Sequence, residues 1–140
     1  MKIAIGGDHA GFEYKAAIIE LLVKEGHTIQ NFGTDSADSV DYPDFAHQLA
    51  AKIEAKEADY GILICGTANG IAMSVNKHEE IRAAIAWSES VAYMARQHND
   101  ANVLCLPARY IAAPLALSCV DLFMSTDFEG GRHKKRVDKI

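Results

Sequence analysis

The six residues YGILIC at positions 60–65 set the tightest limit on what this chain can fold into. A strand that is nearly all apolar, instead of alternating apolar with polar, needs both faces covered, as in a parallel sheet between helical layers. KIAIGG (2–7), HTIQNFG (27–33), IRAAIAW (81–87) and NVLCLP (102–107) read as further strands. Between them lie segments of helical period. Phe12, Ala16, Ile19, Leu22 and Val23 fall on one face of a helix ending near Gly26. Pro43 suits the first turn of a helix carrying Phe45, Leu49 and Ile53. Another helix follows Gly70, and one N-capped by Ser88 covers roughly 89–97. Leu115, Cys119, Leu122 and Phe123 mark a further helix within 111–125, and the tail is a glycine break followed by a short basic helix, within 129–140. Five strands alternating with helices predict an α/β fold whose five-stranded parallel sheet carries helices on both faces.

No linker, repeat or low-complexity tract divides the 140 residues, so the expectation is one domain over 1–140. A composition of 49% apolar and 24% charged residues is that of a globular chain, and no apolar run is long enough to cross a bilayer. The first residues, MKIAIGG, lack the longer apolar stretch of a signal peptide. Cys65, Cys105 and Cys119 cannot all pair and match no zinc spacing, which points to free thiols in a reducing cytoplasm. A net charge of −5 argues against nucleic acid or an anionic membrane as a partner of the whole surface.

In sheets of this type ligands bind beyond the carboxyl ends of the strands. Those ends carry Asp8–His9, the polar 34–44 loop, Cys65–Gly66–Thr67, Ser88 and Arg109. In the turn GTANG (66–70), Gly66 and Gly70 permit close backbone approach, and turn amides leading into a helix favour negative charge. Such a setting lowers a thiol's pKa, so Cys65 is either a reactive thiolate or a small core residue ending a strand. Cys105 and Cys119 read as core. The turn is not a P-loop, which needs Lys and Ser/Thr after its last glycine, and GGDHAG lacks dinucleotide spacing. Asp35 is a weak ribose-binding candidate. His98–Asn99 ends a helix, where a histidine also suits the dipole. His27, His47, His78 and His133 have no evident partner. Arg132 and Arg136 share a helical face and suit a phosphate, or are simply solvated, as Lys134 and Lys135 are.

Together these segments resemble the ribose-5-phosphate isomerase B family, which includes galactose-6-phosphate isomerase subunits. The resemblance rests on GGDHAGF (6–12), DYPDFA (41–46), ICGTANG (64–70), NK (76–77), RQHNDANVL (96–104) and EGGRHKKRV (129–137), in order along almost the whole chain. It implies a Rossmann-like three-layer α/β/α sandwich and interconversion of ribose 5-phosphate and ribulose 5-phosphate, in the pentose phosphate pathway, without metal or organic cofactor. It also implies roles. Cys65 would move a proton between the first two carbons through an enediolate that the 66–70 amides (Gly66, Ala68, Asn69, Gly70) stabilise. Thr67 and His98 would assist ring opening, Asp8 and Asn99 would hold sugar oxygens, and Tyr42 would line the pocket. His9, Arg109, Arg132 and Arg136 would grip the phosphate. The family implies a homodimer or dimer of dimers with sites shared between subunits, so that His98 and the C-terminal arginines serve a neighbour's Cys65.

One branch of the family replaces the cysteine by a glutamate six residues further on; here that position is Ile71, which favours the cysteine mechanism. Ala68 stands where many members have glycine, and alanine tolerates positive φ poorly, which points to a local change in the loop. Asn69 is open between sugar contact and turn stabilisation. Two other functions remain: a hexose 6-phosphate isomerase (allose or galactose 6-phosphate), and a non-catalytic sugar-phosphate or nucleotide-binding module.

Overall fold

The computed structural model describes residues 1–35, 38 and 40–140; Ser36, Ala37 and Ser39 of the polar 34–44 loop lie outside the described residues. The strands are β1 (Lys2–Gly7), β2 (Thr28–Asn31), β3 (Tyr60–Cys65), β4 (Ala83–Ile85) and β5 (Val103–Pro107). The helices are α1 (Phe12–Lys24), α2 (Tyr42–Glu54), α3 (Asn69–Val75), α4 (Glu89–Asn99), α5 (Ala113–Ser125) and α6 (Gly131–Val137), with a 3-10 turn at His9–Gly11. All strand pairs are parallel, in the order β2-β1-β3-β5-β4.

Alternation along the central strands builds two cores. Ile3, Ile5, Ile62, Ile64, Leu104 and Leu106 face α1, α4 and α5. Ala4, Leu63, Cys65, Val103 and Cys105 face α2 and α3. The helices sort by the direction of their crossover. α1 and α4 join strands in one sense along the sheet and lie on one face; α2 and α3 run in the other sense and lie opposite, as right-handed connections require. Cys105 and Cys119 are core residues on opposite faces, as expected.

The structure shifts several expected boundaries. The fourth strand is only three residues long. It forms a sheet edge, and Asn76 covers that edge: its side chain accepts from Ala83 N–H at 2.8 Å and donates to Ala83 C=O at 3.0 Å. The free ladder groups at this point therefore have partners. In α1 the buried stripe is Lys15, Ile18 and Leu22, whereas Val23 is 56% exposed. The face toward the sheet is rotated from the most apolar one because Lys15 enters it. In α5, Ala116, Cys119, Val120 and Phe123 are buried, and Leu115 and Leu122 only partly. Ser88 caps α4 as expected, accepting from Val91 N–H at 3.4 Å. Among the described residues no helix is long and apolar enough to cross a membrane.

Candidate active site

From β1 the chain moves outward to β2, and β3 lies on the other side of β1, so the crevice at a topological switch point opens between the ends of β1 and β3. Asp8 leaves the first strand there and Cys65 ends the third. Asp8 is fixed on three sides. Its N–H donates to Ile64 C=O at 3.1 Å, its Oδ1 accepts from Ala10 N–H at 2.9 Å, and its Oδ2 accepts from the Cys65 thiol at 3.0 Å. Both side chains are buried, with Asp8 7% and Cys65 6% exposed. Burial, and then the hydrogen bond and negative charge of Asp8, push the Cys65 thiol up to about 11, while the Ala68 and Gly66 amides pull it down. Of the two readings open for Cys65, the resting thiolate is disfavoured. The helix end does act on the sulfur, but desolvation and the carboxylate outweigh it.

The turn after Cys65 is held closely. Ala68 is fully buried and left-handed, with φ of 64°, at the N-cap of α3. Alanine thus takes the conformation for which glycine is usual. Asn69 N–H donates to Thr67 Oγ1 at 3.3 Å, and both side chains are exposed. Arg109 lies across Gly66, where an added Cβ would meet its guanidinium carbon at 3.2 Å, and its own N–H donates to Gly66 C=O at 3.1 Å. The Tyr42 ring lies against Gly70 so closely that any side chain there would collide with its hydroxyl. His9 follows Asp8 and carries a buried Nδ1 without a hydrogen-bond partner. Asp8, His9, Tyr42, Arg109 and residues 65–70 thus share one rim of the sheet.

His98, Asn99, Arg132 and Arg136 are elsewhere. A connecting helix runs against its strands, so the eleven residues of α4 carry the chain roughly 16 Å back from Ser88 to the opposite edge. Arg82, at the start of β4, pairs there with Asp100 at 3.0 Å. The C-terminal segment docks on the same end, Glu129 N–H donating to Gln97 C=O at 2.9 Å. The His98 and His133 rings stack at 4.0 Å and 9°. Arg132 and Arg136 are exposed on α6, and Asn99 is exposed at the end of α4. One chain therefore does not bring these four residues to its own Cys65.

Several polar residues join clusters that sequence reading missed. Lys15, 3% exposed, donates to Asn31 Oδ1 at 2.9 Å and Thr34 C=O at 2.6 Å, and approaches Asp35 at 3.3 Å. Asp35 is thereby engaged, its carboxyl held below the usual range by Lys15 and Asn31. Arg96, also buried, donates to Asp100 Oδ1 and Ala101 C=O and lies over Tyr60. His47 and His78 meet at 2.9 Å and Glu54 reaches His78 at 3.0 Å, so both histidines have partners. The four-residue spacings of Arg96 with Asp100 and of Glu129 with His133 are local signals that could have pointed to two of these clusters.

A sequence family described as Ribose/Galactose Isomerase matches residues 3–140. Ribose-5-phosphate isomerase B of Escherichia coli is 43% identical over 139 residues, which cover 99% of this chain and 93% of that protein. A ribose 5-phosphate isomerase structure from Thermotoga maritima is 47% identical with a TM-score of 0.95, covering 99% of this chain and 95% of that one. Ribose-5-phosphate isomerase B from Mycoplasma genitalium, solved with bound ribulose 5-phosphate, is 42% identical with a TM-score of 0.94, covering 99% and 92%. With this fold over essentially its whole length, the chain is a sugar phosphate isomerase of the ribose/galactose isomerase family.

Proposed function

We propose that the protein interconverts ribose 5-phosphate and ribulose 5-phosphate, with Cys65 as the proton-transfer group and Asp8 as its partner. The hydrogen bond from the Cys65 thiol to Asp8, beside an amide-lined turn at the switch point, is the observation that carries this reading.

A thiol pushed up to about 11 is protonated at neutral pH and is not itself a base. Asp8 supplies the missing step by taking the thiol proton along the existing hydrogen bond. The thiolate then removes the proton from C2 of the open aldose, and the electron pair moves through C1=C2 to O1. The enediolate oxygen meets the turn amides, preorganised donors beside the buried Cys65. The thiol returns that proton to C1, the hydroxyl proton passes from O2 to O1, and the ketose results. Asp8 then hands its own proton back to sulfur. The proposal gives Asp8 a proton-holding role in place of the sugar contact expected from resemblance.

His9 and Arg109 mark the phosphate side of the crevice: one has a buried ring nitrogen without a partner, the other a guanidinium over the turn. The rest of the site comes from a second copy. Thr67 and Asn69 share a groove with Ile85, Trp87, Pro107 and Tyr110, where Trp87 and Tyr110 are exposed. A second chain seated on this apolar rim brings its own His98, Asn99, Arg132 and Arg136 to Cys65.

The test is an aldose-to-ketose assay of the purified protein with a panel of pentose and hexose phosphates and no added metal. Ribose 5-phosphate is the best substrate on this reading. Preference for allose or galactose 6-phosphate replaces the substrate, not the chemistry. Binding without turnover or solvent deuterium exchange at C2 identifies a non-catalytic module.

A further inference from the structure

The C-terminal end of α4 holds three groups to which no role has been given as a set. His98 Nε2 and His133 Nε2 each lie 3.8 Å from Glu129 Oε2, and the two rings are stacked face to face. His133 is 4% exposed, whereas His98 and Glu129 are more open. All three donor atoms fall within 4.8 Å of one another, a separation that invites a metal reading. The ring geometry opposes it. A metal-binding imidazole directs its in-plane lone pair at the ion, and parallel rings 4.0 Å apart direct theirs side by side, not to one point.

The same geometry suits a shared proton. Two stacked imidazoles cannot both be charged cheaply, and a single carboxylate compensates one charge. Arg132 decides which ring stays neutral: its Nε–H donates to His133 Nε2 at 3.4 Å, so that nitrogen acts as an acceptor. Desolvation, His98 and the positive charges of Arg132 and Arg136 all hold His133 below the usual histidine range, with Glu129 alone opposing them. His98 is the ring left to face Glu129, at 3.8 Å.

We propose that Glu129 and His133 are positioning residues for the ring-opening step, Glu129 stabilising the protonated form of His98 and His133 fixing its ring plane while remaining neutral. This rests on the reading that His98 acts in ring opening. In that step the C1–O4 bond of the cyclic aldose breaks, the hydroxyl at C1 gives its proton to a water molecule, and the ring oxygen receives one. A protonated His98 supplies the latter.

Ribulose 5-phosphate provides the separating measurement. Its phosphate blocks ring closure through O5, so solvent deuterium exchange at its C1 needs the proton transfer alone. For Glu129→Gln we expect turnover of ribose 5-phosphate to fall about tenfold, with exchange into ribulose 5-phosphate close to native. The alkaline limb of the aldose-to-ketose pH profile moves to lower pH, because an opposing negative charge has been removed. Glu129→Asp recovers part of both effects. His133→Phe keeps the stack but not the acceptor, and is expected to show the same split between the two assays. A Glu129→Gln enzyme with native aldose turnover and an unmoved profile overturns the proposal, as does equal loss in both assays. The underlying reading fails separately: if His98→Asn leaves aldose turnover intact, ring opening does not use His98. If His98→Asn is defective while Glu129→Gln behaves as native, only this proposal falls.

Discussion

The Cys65 thiol donates to Asp8 Oδ2 at 3.0 Å, linking the end of β3 to the residue that leaves β1, 57 positions earlier. The carboxylate is held by Ala10 N–H on its other oxygen, so its orientation is fixed before any ligand arrives. This pair predicts a thiol that is inert at rest and controlled by its neighbour. Cys65 in the native protein is expected to react slowly with iodoacetamide at pH 8, the rate rising toward about pH 11. In Asp8→Asn the carboxylate's charge is gone, the thiol titrates at lower pH, and alkylation at pH 8 accelerates while isomerase turnover collapses. Cys65→Ala retains ligand binding and loses C2 exchange. Rapid native alkylation at neutral pH contradicts the assigned protonation state.

Ala68 gives a stability prediction with two arms. A left-handed L-residue costs roughly 1–2 kcal/mol, while glycine at that position costs roughly 0.5–1 kcal/mol of unfolded-chain entropy and forfeits a buried methyl. The terms nearly cancel, so Ala68→Gly is expected within about 1 kcal/mol of native. Ala68→Val meets both the backbone restriction and a full core, and should lose more than about 2 kcal/mol in a denaturant titration. Equal midpoints for the two variants would show that the positive φ of 64° is not a constraint.

The order of elements was readable because the apolar runs and the helical spacings are local signals. So was the position of Cys65 at a strand end. The partner of Cys65 was not, since Asp8 reaches it only through the pairing of β1 with β3, and strand order leaves no local trace in the sequence. Likewise His133 and Glu129 stood four apart in plain view, but the stack with His98 needs α6 to dock on α4. Periodicity misplaced the face of α1 because Lys15 counts as polar, whereas the fold buries it with hydrogen-bond partners. Nor is the partner of the short fourth strand's outer edge a local signal: Asn76, from outside the run, takes the edge groups of Ala83.

Lys15 ties α1 to the segment after β2 that leads toward Tyr42. Lys15→Met removes the buried donor to Thr34 C=O, and losing such a partner costs about 1–3 kcal/mol. The penalty depends on pH. Lys15 and Asn31 lower the Asp35 carboxyl in the folded protein, so its contribution is present above the ordinary carboxylate range and is lost as pH falls through the lowered value. The difference between native and Lys15→Met stability should therefore shrink under acid conditions in paired denaturation curves. A difference constant from pH 7 to 2 would place the cost in the uncharged contacts of Lys15 and not in its pairing with Asp35.

Arg132 and Arg136 are exposed and remote from the reacting carbons, so on the present reading they contribute binding that is uniform along the reaction. Each alanine variant is expected to raise KM about ten- to a hundredfold with kcat little changed, as befits loss of a charge-assisted contact to phosphate. The effect should weaken in the native enzyme as salt screens the same contact. A fall in kcat at constant KM would move the arginines from phosphate binding to the chemical step.

The separation of His98 from Cys65 within one chain yields the strictest test of the two-chain site. α4 fixes His98 at the edge of the sheet opposite the Asp8–Cys65 pair, and no side-chain rotation spans that distance. If two chains pair as proposed, Cys65→Ala and His98→Asn homodimers are both expected to be inactive, each site lacking one member. Mixed after co-expression, the two chains form heterodimers in which one site lacks both residues and the other has both native. Random pairing of equal amounts makes half of the dimers mixed, so activity should return to about one quarter of native. Two variants inactive alone cannot restore each other if every site is built within one chain. Recovery near one quarter therefore supports sharing between subunits, and a mixture as silent as its components places the functional His98 and Cys65 in the same chain.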